Sequence, residues 1–127
     1  MGDLSEHFSR QEFACPDGCG GDTIDTETLD VLETIREHFN APVHVNSGFR
    51  CLRHNAAIGG RTYSQHLVGR AADIWVEGVS PGVVQEYVKT LLAGSGGLGR
   101  YNTFTHVDTR TNGPARWDER TTGATGV

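Results

Sequence analysis

An aspartate sits inside what otherwise reads as an apolar strand. In Ala71-Ala72-Asp73-Ile74-Trp75-Val76 the alternation puts Ala72, Ile74 and Val76 on one face and Ala71, Asp73 and Trp75 on the other. A carboxylate among such neighbours costs free energy unless a partner holds it. Any fold this chain adopts must therefore bring a second group to Asp73. The local sequence leaves two kinds of partner open: a nearby amide or Arg70, or a metal ion.

The elements around that strand are short and well punctuated. Ser9-Arg10-Gln11-Glu12 has the capping-box pattern, predicting a short helix from Arg10 toward Ala14. Asp25 or Thr26 caps a longer helix whose Leu29, Leu32, Ile35, Arg36 and Phe39 fall on one stripe, ended by Asn40-Ala41-Pro42. Val43-His44-Val45-Asn46 predicts a strand, and Leu52 to Ile58 a helix stopped by Gly59-Gly60. Ser80-Pro81 starts a third helix, which buries Val84, Tyr87, Val88, Leu91 and Leu92. Gly94 to Gly99 breaks it, and Tyr101 to Asp108 is the last strand or hairpin. The expected class is α+β, a small antiparallel sheet flanked by helices. A length of 127 residues fits one domain, taken as 1–120. Residues 121–127, Thr-Thr-Gly-Ala-Thr-Gly-Val, have almost nothing to bury and are expected to form a disordered tail.

Charge and hydropathy narrow the partners. Eleven basic against sixteen acidic residues give a net charge of −5, which argues against nucleic acid or an anionic membrane surface. No apolar run approaches the roughly 20 residues of a membrane span, so no membrane insertion is expected. The start, Met1-Gly2-Asp3-Leu4-Ser5-Glu6-His7, lacks the basic end and apolar stretch of a signal peptide, which reads as cytoplasmic synthesis. Without a heptad seam the default is a monomer. Three cysteines are an odd number for a disulfide scaffold: Cys15 and Cys19 flank Pro16-Asp17-Gly18, and Cys51 stands apart.

Six histidines offer metal or catalytic chemistry. His7, His38 and His54 lie on polar stretches and read as solvated surface groups, while His44 faces away from Val43 and Val45 and remains a candidate. His66 follows Ser64-Gln65 in a glycine-rich, loop-like stretch seven residues before Asp73, and one histidine with one aspartate is an incomplete zinc site. In Phe104-Thr105-His106-Val107-Asp108 the alternation puts His106 and Asp108 on one strand face, about 7 Å apart. Two imidazole nitrogens and one carboxylate oxygen would leave the fourth tetrahedral position open, as catalytic zinc requires. Cys15 and Cys19 are a rival zinc pair, but two thiolates do not close a structural site.

These residues carry a resemblance. Asn46-Ser47-Gly48-Phe49-Arg50, Asn55-Ala56-Ala57-Ile58-Gly59-Gly60, Ser64-Gln65-His66-Leu67-Val68-Gly69-Arg70-Ala71-Ala72-Asp73-Ile74 and His106-Val107-Asp108 follow in order. From about Phe8 to Arg110 the chain resembles the zinc D-Ala-D-Ala carboxypeptidase family, in its small bacterial and phage branch. The same fold group includes vancomycin-resistance dipeptidases, phage endopeptidases and the hedgehog signalling domain. The resemblance implies zinc bound by His66, Asp73 and His106. It implies a substrate-holding role for Arg50, whose fork can donate two parallel hydrogen bonds, and a substrate contact or a turn-forming role for Ser64. Many members place an acidic general base three residues before the last zinc histidine; here that residue is Thr103, which cannot take up a proton near pH 7. Asp108 is the acidic substitute nearest in sequence, either as base or as the group that orients His106.

The expected function is a zinc metallopeptidase that hydrolyses an amide bond in peptidoglycan stem peptides, either carboxypeptidase-like or endolysin-like. The lack of a signal peptide then fits release through a phage-type membrane hole, a cytoplasmic wall-recycling enzyme, or a domain of a longer chain. Thr103 keeps a different class open: a zinc-bearing, non-catalytic module such as a phage particle component. In a third reading there is no zinc, and His66 and Asp73 simply bond to each other.

Overall fold

Two helix starts predicted from the sequence open the two long helices of the computed structural model, which describes residues 4–16, 21–58, 64–111 and 113–120. The first helix, α1, spans Thr26–Phe39. The Asp25 side chain accepts from the backbone N–H of Glu27, and Asn40 ends the helix in the left-handed region at φ 49°. The second long helix, α3, spans Pro81–Leu92, with proline in its first turn where no N–H is needed. Between them lie β1 (Val43–Ser47), the short α2 (Leu52–Ala57) and β2 (Ala71–Val76), and after them come β3 (Gly97–Arg100), β4 (Thr105–Asp108) and β5 (Ala115–Asp118). Tight 3-10 turns occupy Arg10–Phe13 and Gln65–Val68.

The five strands form one sheet in the order β1-β2-β4-β3-β5. β2 lies inside it, antiparallel to β1 on one side and to β4 on the other. Its Ala72, Ile74 and Val76, with Leu98 of β3 and Val107 of β4, face the helices and join Leu32, Ile35, Val84 and Val88 in the core. Phe8 and Phe13, both fully buried, close the core from the N-terminal side. The opposite face carries Asp73, paired in register with His106, and Ala71, paired with Asp108. The sheet thus buries an apolar layer on one side and presents the ionisable residues on the other.

The α+β class holds, and the structure changes its C-terminal third. Gly94 to Gly99 does end α3, but Gly97, Leu98, Gly99 and Arg100 go on to form β3. Tyr101 to Phe104 makes the turn, so the strand expected over 101–108 is confined to Thr105–Asp108. β5 lies past the last strand expected from the sequence, and it pairs with β3 in parallel, so four strands run antiparallel and the edge strand does not. The glycines of β3 explain why this strand escapes a pattern search. A Cβ at Gly99 would sit 2.5 Å from the Trp117 indole, and one at Gly97 would collide with the Asp108 carboxylate. Strand glycines often mark such a close approach. The disordered tail expected over 121–127 lies outside the described residues, as does the Gly59-Gly60 stop of α2.

Candidate metal centre

Three elements deliver three donors to one point on the sheet's outer face. Asp73 comes from β2, His106 from its register partner on β4, and His66 from the 3-10 turn that precedes β2. One ligand atom from each lies within 4.8 Å of the others, and all three residues are buried. Asp73 Oδ1 is 3.0 Å from His106 Nδ1 and 3.3 Å from His66 Nε2.

The turn that carries His66 is fixed at both ends. Ser64 Oγ accepts from the His66 N–H at 3.1 Å, and Gly69 closes the turn at φ 71°, a conformation disfavoured for residues with a Cβ. A Cβ at Gly69 would also press against the Thr23 backbone at 2.8 Å. His66 Nδ1 donates to the Gly48 carbonyl at 2.7 Å, which leaves Nε2 as the lone-pair nitrogen. That nitrogen is buried and has no hydrogen-bond partner. It instead faces a carboxylate oxygen, two acceptors turned toward each other, an arrangement that a cation between them relieves.

His106 is held differently. Its Nε2–H donates to Asp108 Oδ2 at 2.7 Å, turning Nδ1 toward Asp73. Asp108 is fully buried and both its oxygens are engaged. Arg110 donates to Oδ1 from its backbone N–H at 3.1 Å and from Nε at 2.9 Å, and to Oδ2 from Nη2 at 2.7 Å. Burial alone would raise the Asp108 carboxyl, but the bonds from His106 and Arg110 hold it well below the usual carboxylate range. Burial likewise opposes the charge on Asp73, and the bond from His106 outweighs it, holding the carboxyl well below its usual range. For His106 burial lowers the pKa, yet the Asp108 and Asp73 bonds leave it raised.

Arg50, expected to hold substrate, has its guanidinium directed onto protein atoms. It donates to Ser47 Oγ at 3.1 Å, to Asn55 Oδ1 at 3.3 Å and to Asp73 Oδ2 at 3.2 Å. Arg70, the other cation weighed for Asp73, instead donates to the Thr109 carbonyl at 2.7 Å and pairs with Asp25 and Glu27. The reason is parity: residue 70 is three positions from residue 73, so the two side chains leave the strand on opposite faces. Thr103 lies exposed in the β3–β4 turn.

Trp117 and Arg110 had no place in the sequence reading. The indole of Trp117 lies 4.8 Å from the His106 ring between centroids, and its Nε1–H donates to Tyr101 Oη at 2.8 Å. An aspartate and an arginine two residues apart past a strand end were the available signal for Arg110. For Trp117 it was a lone aromatic in a polar run, opposite a glycine, Gly99, that only the sheet brings near.

The remaining candidates lie elsewhere. His44 stacks on Trp75 and pairs with Glu77 at the β1–β2 edge, outside the three-donor group. His7 is not the solvated group expected, since it is half-buried and pairs with Glu33, whereas His38 is exposed as expected and stacks on Tyr87. The sulfurs of Cys15 and Cys51 lie 3.8 Å apart, and Cys19 is outside the described residues, as is the His54 side chain. A cavity of about 530 Å³ lined by Val31, Leu91, Leu92, Thr109 and Arg110 contains none of the three donors. No helix among the described residues is long and apolar enough to cross a membrane.

A family model described as Peptidase M15 matches residues 6–108, most of the chain and all three donors. No curated protein matches it.

Proposed function

The chain belongs to the peptidase M15 family of zinc peptidases, and on that premise we propose that it hydrolyses an amide bond in peptidoglycan stem peptides with zinc held by His66, Asp73 and His106. The observation that carries the reading is the buried, partnerless Nε2 of His66 aimed at a carboxylate oxygen. The donor set fits: two imidazole nitrogens and one carboxylate oxygen are the ligands of an open, catalytic zinc site. Zinc bound there supplies the Lewis acidity that makes an amide carbonyl susceptible to hydrolysis.

The chain's own residues prepare that site. Asp108, with both oxygens occupied by His106 and Arg110, acts by orienting His106 and fixing its tautomer, not as the general base. Arg50 orients Asp73 through Oδ2, and a substrate carboxylate reaching it would share a guanidinium already held by Ser47 and Asn55. Ser64 caps the turn that presents His66. Thr103, neutral where an acidic base is expected, favours a second reading: a zinc-bearing binding module without hydrolysis. Incubating the zinc-loaded protein with muropeptides and measuring new amino groups or shortened stems separates the two. Absence of product on every stem chemistry, with zinc bound, overturns the peptidase reading in favour of the module.

A further inference from the structure

The edge strand β5 lies beyond the residues that the family model matches, yet its one aromatic side chain reaches the donor group. The Trp117 indole crosses β3 at Gly99, where any side chain would displace it, and comes to rest against the His106 imidazole. Its Nε1–H is tied to Tyr101 Oη at 2.8 Å, and the Arg110 guanidinium stands 5.7 Å from the ring. Trp117 therefore touches both ends of the chain His106–Asp108–Arg110. Asp108, at its middle, is fully shielded from solvent.

We infer that Trp117 is a positioning residue for the metal centre: it holds the His106 ring with Nδ1 toward Asp73 and keeps water from the Asp108–Arg110 pair. Without the indole, His106 gains rotational freedom and its partner carboxylate gains access to water. Both weaken a hydrogen bond that a buried environment strengthens. Groups that orient a ligand in this way typically set about 10- to 100-fold in metal affinity. The inference rests on the zinc reading above.

The test is zinc affinity, measured by competition with a chromophoric chelator, alongside the thermal midpoint of each variant. Trp117→Ala should lose about tenfold or more, and Trp117→Phe, which keeps an aromatic face, should recover most of the loss. Gly99→Ala should reproduce the loss with the tryptophan still present, because its methyl displaces the indole. Arg116→Ala is the control for strand anchoring: Arg116 ties β5 to the Ser95 and Gly96 carbonyls at 2.9 Å each. It should lower the thermal midpoint and leave zinc affinity unchanged. The chain has two tryptophans, so in a Trp75→Phe background copper(II) titration should quench the emission of Trp117 as the site fills. Zinc affinity of Trp117→Ala within about twofold of wild type, or an equal loss in Arg116→Ala, overturns the inference. Failure of the zinc reading looks different: the wild type itself takes up no zinc, and both proposals fall.

Discussion

His66 and His106 face the same oxygen of Asp73, and the fold holds them by opposite means. His66 is fixed by a neutral acceptor, the Gly48 carbonyl, on a capped turn. His106 is fixed by a buried carboxylate that is itself gripped by an arginine. A neutral acceptor selects a tautomer, whereas an ionised one also favours the imidazolium. The pair teaches that one centre can combine a ligand set mainly by backbone geometry with one set mainly by electrostatics. The two should respond differently when their supports are removed.

The largest effect is expected from the ligands themselves. His66→Ala or His106→Ala should abolish stoichiometric zinc, since two donors hold the ion far less tightly than three. Metal analysis after dialysis checks this, and full zinc in either variant breaks the comparison at its root. Next comes the electrostatic support: Asp108→Asn should cost about 10- to 100-fold in zinc affinity, with activity partly returning at high zinc. If activity vanishes while zinc stays fully bound, Asp108 is the base after all.

Arg50→Lys keeps a charge near Asp73 and loses the fork that reaches Ser47 and Asn55. It should weaken zinc less than Asp108→Asn does, because Asp73 keeps its histidine partners, and side-by-side titration tests that order. On the His66 side, Ser64→Ala removes only a cap, worth about 1 kcal/mol of stability. A denaturation curve should register it while zinc affinity moves least of the series.

The pH dependence of the metal-free protein separates the carboxylates from His106. Asp73 and Asp108 have folded pKa values held below the unfolded value of about 3.9, so their stabilisation is present above that pH and fades as pH falls through the folded values. His106 is raised above about 6.5, so its contribution is full below that pH and fades as pH rises through its folded value. Urea midpoints across pH should therefore fall on both flanks, and Asp108→Asn should flatten the alkaline one. An unchanged alkaline flank in that variant would mean that Asp108 does not set the basicity of His106.

Much of this centre was legible in the chain. The carboxylate within an apolar strand called for a partner, the alternation around His106 put His106 and Asp108 on one face, and the helix caps fell at Asp25 and Ser80. Each of these signals is local, a matter of periodicity or of a cap within one turn. Arg50 rather than Arg70 beside Asp73 was not legible, nor was the closure of both Asp108 oxygens. β5 was hidden because Ala-Arg-Trp-Asp has no apolar alternation, and its indole is accommodated by Gly99, far earlier in the chain.

The sequence by itself determined the α+β class, the order of the main elements and the residues able to ligate, because backbone periodicity and capping act over a few residues. Only the tertiary structure decided which partner each polar atom meets. Strand register couples segments far apart in the chain: it set Asp73 opposite His106, laid Trp117 across Gly99 against the same imidazole, and left the buried Nε2 of His66 facing an oxygen. No local pattern encodes those distances, because they arise when separate strands share one sheet and their side chains must fill the space between them.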